Sequence, residues 1–322
     1  MKKLTIYVLC ATLRGKRFLE KLFELYPEGN YIVFSFKETP WEPKYLSQID
    51  KAAKDHKAAF FETRNIADSK FDGIFRLSPP DIMFVVSWRY LVPEYIYNTS
   101  SIASIVFHDS LLPAYRGFSP TSWAIINGES QTGVTMFYLA EEVDSGDIID
   151  QSPVSIGPND NIELVMNRVT EKYLELLEKN LDLIIKGKAP GIPQNHSLAT
   201  FTCKRVPEDN EINWDSSALA IYNLIRGVTH PYPGAYTWFN GRKLIIWSAG
   251  QLSEQRKFVG CVPGAILEVQ KGRGVIVLTG DGQLLIKSIQ FPEEQEVCSA
   301  EILNRLSFRL GRYKHRNNSN YP

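Results

Sequence analysis

The chain has 322 residues, 44% of them hydrophobic, with 36 Lys+Arg balanced by 36 Asp+Glu. That length exceeds one ordinary domain and predicts two, each with enough apolar residues for its own core. Zero net charge gives no global basic field for a phosphate backbone, which argues against a dedicated nucleic-acid binder but leaves room for a local basic patch.

In chain order, Met1-Lys2-Lys3 and Leu4 to Ala11 faintly mimic a signal peptide, but Arg14-Gly15-Lys16-Arg17 follows where a small-residue cleavage site would stand. The run therefore reads as a first strand, Leu4–Cys10. Phe18–Leu25 reads as an amphipathic helix, followed by strands at Tyr31–Phe36, Ala58–Glu62, Asp81–Trp88 and Ser104–His108. The last two are rich in Ile, Val, Met and Phe, as a sheet covered on both faces requires. Strands alternating with helices predict a doubly wound, Rossmann-like, mostly parallel α/β sheet, with ligands at the carboxyl ends of its strands. No GxGxxG follows the first strand, so a nicotinamide-type dinucleotide is not supported.

Pro120–Asn127 should be a short helix, Thr132–Leu139 and Ile148–Ile156 two more strands, and Asn159 to Lys188 a long amphipathic helix. Gly187-Lys188-Ala189-Pro190-Gly191 ends it. Residues 1–193 are thus expected to form the first domain, 194–203 a linker, and 204–312 a smaller second domain. Ser217–Arg226 reads there as a helix with Asp215 or Ser216 as N-cap. Short strands at Ala235–Phe239, Lys243–Ala249, Ala265–Val269, Gly274–Leu278 and Leu284–Gln290 predict a small OB-like β-barrel. The polar end of the chain, 313–322, is expected to be disordered. Cys10, Cys203, Cys261 and Cys298 lie far apart with no CxxC and no histidine at ligand spacing. They read as isolated thiols of a cytoplasmic protein without a metal.

Chemistry concentrates in two stretches: Phe107-His108-Asp109-Ser110-Leu111-Leu112-Pro113-Ala114-Tyr115-Arg116-Gly117 and Val143-Asp144-Ser145-Gly146-Asp147. His108 at a strand end is a packed structural residue as readily as a proton carrier, yet the stiff loop behind it is the kind on which sites are built. Asp144 alone is explained equally by turn chemistry. Arg116 either braces its loop or meets a phosphate or carboxylate. Trp88-Arg89-Tyr90-Leu91-Val92-Pro93 closes a buried strand and either lines a pocket for a flat heterocycle or belongs to the core.

Taken together, Phe107–Gly117, Asn127-Gly128-Glu129, Thr132-Gly133-Val134-Thr135 and Asp144-Ser145-Gly146 resemble the formyltransferase family that uses N10-formyltetrahydrofolate. Lys204-Arg205-Val206-Pro207-Glu208-Asp209, Ile212-Asn213-Trp214, Tyr222-Asn223-Leu224-Ile225-Arg226, His230-Pro231-Tyr232-Pro233-Gly234-Ala235 and Lys243–Trp247 are similar to that family's C-terminal domain. Trp88–Val92 resembles the Tyr-Arg-His-Leu-Ile segment of the UDP-4-amino-4-deoxy-L-arabinose formyltransferases more than the corresponding segment of the methionyl-tRNA branch. The resemblance implies formyl transfer to the primary amine of a nucleotide-linked amino sugar in surface-glycan biosynthesis, with methionyl-tRNA, or folate or sugar binding without catalysis, as the alternatives. It further implies N10-formyltetrahydrofolate as cosubstrate, no nucleic-acid or membrane partner, and a homodimer as is common in that branch.

Carried over residue by residue, the resemblance makes His108 and Asp144 the proton-handling pair. Folate would meet Tyr90, Leu91, Val92, Phe118, Ala140, Glu141, Glu142, Val143 and Asp144, and the acceptor would meet Arg116, His230 and Tyr232. One departure stands out: Val106 occupies the position of the family's asparagine and its side chain donates no hydrogen bond. Losing one oxyanion donor costs about 10²–10³ in rate. Either another donor replaces it (a backbone N–H, or the side chain of Ser110 or Trp88), or the enzyme is slow, or the chain binds without catalysis.

Overall fold

The computed structural model describes residues 3–40 and 42–311; residues 313–322, the expected disordered end, lie outside them. The chain divides into two compact units. The first comprises residues 1–121, 131–156 and 164–204, the second 122–130, 157–163 and 205–322. Residues 194–203, expected as a linker, belong to the first unit.

In chain order the first unit carries β1 (Thr5–Cys10), α1 (Thr12–Leu25), β2 (Asn30–Ser35), α2 (Leu46–Asp55), β3 (Ala59–Glu62), α3 (Asp72–Leu77), β4 (Ile82–Val86), α4 (Glu94–Tyr97), β5 (Ala103–His108) and β6 (Arg116–Gly117). After α5 (Pro120–Ile126) come β7 (Gln131–Tyr138), β8 (Ile148–Ser155), α6 (Ile162–Ile185) and β9 (Phe201–Thr202). The main sheet runs β3-β2-β1-β4-β5-β7-β8. Its first five strands are parallel, whereas β7 and β8 pair antiparallel at one edge. The expected mostly parallel α/β sheet is therefore present. Strand order reverses at β1, so the carboxyl edge of β1, β4 and β5 is where this architecture opens a crevice.

The side chains of β5 divide between two faces, as strand geometry demands. Phe107 is buried against Phe18 of α1 and Tyr173 of α6, with ring centroids 5.0 and 5.1 Å apart. Val106 packs instead on the cluster of Tyr7, Leu9, Phe34, Met83, Val85 and Val92. His108, two residues on, shares the Val106 face.

Helix α1 begins at Thr12, six residues before the expected start at Phe18, so Arg14-Gly15-Lys16-Arg17 is helix. Gly15 permits this: a Cβ there would stand 3.0 Å from the Cys10 Cβ, and without one the helix turns directly off β1.

The second unit carries α7 (Ala218–Val228), β10 (Ala235–Phe239), β11 (Arg242–Gln251), β12 (Ile266–Gln270), β13 (Gly274–Leu278), β14 (Gln283–Gln290), β15 (Val297–Cys298) and α8 (Ser299–Ile302). The N-cap of α7 is Ser217, whose hydroxyl accepts from the Ala220 amide; the expected Asp215 and Ser216 lie two residues and one residue too early. The antiparallel sheet is ordered β10-β11-β14-β13-β12, with β15 on β14. Among the described residues no ladder joins β10 to β12. The expected OB-like barrel is thus not closed, and what stands is an open antiparallel sheet over one core of Ile221, Ile225, Leu244, Ile246, Val275 and Ile286.

Candidate active site

The loop after β5 is stiff because its polar groups are taken. Thr135 of β7, fully buried, donates through its hydroxyl to the Ser110 carbonyl (2.7 Å) and accepts from the Leu112 amide (3.0 Å). The Ser110 hydroxyl donates to the Ala114 carbonyl (2.6 Å). The loop closes on β6, which pairs with β9; a Cβ on Gly117 would stand 2.5 Å from the Thr202 carbonyl oxygen, so only glycine fits there.

His108 is buried, and its Nε2 lies 2.8 Å from the Tyr115 carbonyl. A carbonyl only accepts, so Nε2 carries a proton and Nδ1 is the position free to take up another. Nδ1 faces Asp144 Oδ2 at 3.6 Å, beyond hydrogen-bond length but within ion-pair range once the ring is protonated.

Asp144 arrives by an indirect route. Strand β7 runs antiparallel to β5, so its end at Tyr138 lies beside Ile105. The following loop leaves beside Ser104, where the Leu139 amide donates to the Ser104 carbonyl (2.8 Å), and is back at β7 where the Tyr138 amide donates to the Asp147 carbonyl (3.0 Å). Asp144 sits there at φ +51; Thr12, Ser87, Tyr115 and Ser119 are further non-glycine residues with positive φ around this edge. Such backbone persists only where neighbours hold it. Here the Gly117 amide donates to Asp144 Oδ2 at 2.8 Å. Gly146 has no room for a Cβ against the Tyr138 carbonyl.

Behind β5 the polar side chains bond to one another. Arg14 Nη1 lies 2.5 and 2.6 Å from the two carboxylate oxygens of Asp109, a buried ion pair directly after His108. The Tyr173 hydroxyl donates to Asp109 and stands 3.1 Å from the Phe107 carbonyl. Burial, then the Asp109 carboxylate, push the Tyr173 phenol well above its ordinary range, so it remains a donor. The backbone on both sides of His108 is therefore clamped. None of Arg14, Asp109 and Tyr173 was legible as a group, because they meet only when α1 and α6 cover one face of the sheet.

At the end of β4 the indole of Trp88 and the ring of Tyr90 pack edge-on against each other and against Phe36. Arg89 pairs with Glu42 above them. Burial pushes the Glu42 carboxyl up, but Arg89 and Thr39 outweigh it and hold it at about 2. Two buried polar atoms here have no partner, Ser87 Oγ and Trp88 Nε1.

A cleft of about 920 Å³ opens along the loop that bears Asp144, lined in part by Arg116, Ala140, Glu141, Glu142, Asp147 and His196; His108 and Asp144 themselves are not among its lining residues. Arg116, expected at the acceptor, is itself buried, with Nη2 on Gln194 Oε1 (2.6 Å) and 3.1 Å from His196 Nδ1. Among the described residues no carboxylate pairs with it, and its Nε has no partner. Of the expected folate residues, Val92 is buried in the core, whereas Leu91, Phe118 and Val143 are exposed. His230 and Tyr232 lie in the second unit: His230 stacks on Trp247 at 3.7 Å and stands 3.3 Å from Glu296. The Tyr232 amide closes a turn on Thr229. Among the described residues no group of His, Cys, Asp and Glu is arranged to hold a metal ion, and no helix is long and apolar enough to cross a membrane.

Comparison with known proteins places this geometry. Residues 20–181 match the formyl transferase domain model and residues 204–307 the formyl transferase C-terminal domain model. The chain therefore belongs to the formyl transferase family, whose members are enzymes that transfer formyl groups from N10-formyltetrahydrofolate. It is 36% identical over 251 residues, 78% of each chain, to the methionyl-tRNA formyltransferase of Desulforamulus reducens. Among solved structures it is similar in fold to WlaRD, a sugar 3N-formyl transferase crystallised with dTDP and 5-N-formyl-THF. The TM-score is 0.65 at 18% identity, covering 92% of this chain and 100% of that one. HypX from Aquifex aeolicus in complex with tetrahydrofolic acid matches with a TM-score of 0.63 at 18% identity, covering 97% of this chain; this chain spans about half of HypX (51%).

Proposed function

We propose that this enzyme moves the formyl group of N10-formyltetrahydrofolate onto the primary amine of a small, nucleotide-linked amino sugar. The observation that carries the chemistry is the pairing of His108 Nδ1 with Asp144 Oδ2 at 3.6 Å, on a loop whose neighbouring residues line an open cleft. The amine nitrogen bonds to the formyl carbon and the bond from that carbon to N10 breaks. The amine's proton goes to Nδ1, N10 takes a proton as it leaves, and Asp144 stabilises the imidazolium in between. The cleft volume lies within the range of small-molecule sites.

For the oxyanion, Ser110 is already committed to Ala114, which leaves the Trp88 indole N–H as the side-chain donor in place of the asparagine replaced by Val106. The choice of a sugar rests on the Trp88–Val92 segment, on the neutral chain, and on the carboxylates of Glu141, Glu142 and Asp147 at the cleft, which suit an ammonium and repel a polyphosphate backbone. The second reading, methionyl-tRNA as acceptor, is favoured by the 36% identity to a methionyl-tRNA formyltransferase. Incubation with N10-formyltetrahydrofolate and, in parallel, nucleotide-linked amino sugars or methionyl-tRNA separates the two. Formamide on a sugar together with free tetrahydrofolate supports the first reading, and turnover on the tRNA alone overturns it.

A further inference from the structure

Gln194 belongs to a segment that sequence reasoning treated as a connector, yet its side chain is buried and hydrogen-bonded at both ends. Its Nε2 donates to the Asp144 carbonyl (2.9 Å) and to the Gly146 carbonyl (2.8 Å), while its Oε1 accepts from Arg116 (2.6 Å). Both amide protons and an acceptor lone pair are therefore used. The segment itself is strapped along the loop after β5: the Arg116 amide donates to the Thr200 carbonyl, the Phe118 amide to the Thr202 carbonyl, and the Tyr115 amide to the Thr200 hydroxyl.

We infer that Gln194 is a positioning residue that holds the Asp144 loop so that the carboxylate faces His108. Two observations make the amide protons the working part. Asp144 occupies left-handed backbone, which must be held from outside. Only two hydrogen bonds hold this residue among the described residues: the Gly117 amide on its carboxylate and Gln194 Nε2 on its carbonyl. Beyond Asp144 the loop is next tied to β7 at Asp147, whose carbonyl accepts from the Tyr138 amide (3.0 Å).

The inference rests on His108 and Asp144 being the proton-handling pair. Its test separates the two ends of the Gln194 side chain. Gln194→Glu keeps an acceptor for Arg116 and offers no proton to the two carbonyls. Gln194→Met, neutral and of the same length, offers neither. If Gln194 sets Asp144, both variants lose about 10–100-fold in kcat, since a misplacement near 1 Å costs up to about 10². In both, the pH profile of kcat/KM changes, while the Kd for tetrahydrofolate moves less than about threefold. If Gln194→Glu retains wild-type kcat and pH profile, the side chain only braces Arg116 and the inference is overturned.

A second measurement needs no acceptor: the ¹⁵N resonance of His108 Nδ1, with Asp144→Asn setting the scale. Displacement of that resonance in Gln194→Glu toward the Asp144→Asn value supports the inference, and an unmoved resonance overturns it. Failure of the wild-type protein to formylate any acceptor defeats the proposed function alone, because the resonance still reads the Gln194 contact.

Discussion

The two sides of the β5 carboxyl end are built on opposite principles. Behind it, Arg14, Asp109 and Tyr173 bond to one another in a buried cluster. In front, Nδ1 of His108 stands 3.6 Å from a carboxylate, and Trp88 Nε1, Ser87 Oγ and Arg116 Nε have no partner. Buried polar atoms left unpaired cost about 1–3 kcal/mol each, so a native fold rarely keeps them without use. Paired groups hold the backbone still.

The contrast yields predictions that differ in kind on the two sides. The largest effect is expected in front. His108→Ala should lower kcat about 10²–10⁴-fold while tetrahydrofolate still binds. Turnover within a few-fold of wild type would remove His108 from the chemistry. Behind the strand, Arg14→Met should cost about 3–5 kcal/mol in stability because it strands the Asp109 carboxylate. Denaturant unfolding measures this, and an unchanged midpoint would show that the pair is not structural.

Val106→Asn restores the family's donor in front and should raise kcat by up to about 10²–10³ if that donor limits the rate. An unchanged kcat would mean that Trp88 already serves, which Trp88→Phe then tests by removing only the N–H. The smallest effect falls on the Arg89–Glu42 pair. The Glu42 carboxyl is depressed to about 2 when folded, so its contribution is full above its ordinary range near pH 4.5 and fades as pH falls toward 2. The pair is partly exposed and is worth about 0.2–1 kcal/mol after solvent screening. Glu42→Gln should flatten that segment of the stability–pH curve, and an unchanged slope would dismiss the pair.

Local pattern carried much of this molecule. The apolar runs at β1, β4 and β5 and the turn-rich loop after His108 are written in consecutive residues, and consecutive residues set strand, face and turn. The family blocks pointed to His108 and Asp144 because a motif keeps its spacing wherever the chain folds. What spacing does not carry is the route between them. The loop that bears Asp144 leaves β7 beside Ser104, short of His108, and that placement depends on the antiparallel pairing of β7.

Gln194 was hidden for the same reason, since its partners lie 48 to 78 residues away and a connector has no periodicity to betray them. Whether the expected OB-like barrel forms was a long-range question as well. Strand runs specify pleat and face, but whether the first strand meets the last depends on twist summed across the sheet.

By itself, then, the sequence determined the class of fold and the family, and it singled out His108 and Asp144 as candidates, because these are properties of short segments and their order. The tertiary structure alone decided which atoms around them are satisfied and which are left open. Hydrogen bonding is a property of groups that meet in space, and in this protein it builds the brace behind His108 from residues of three separate elements.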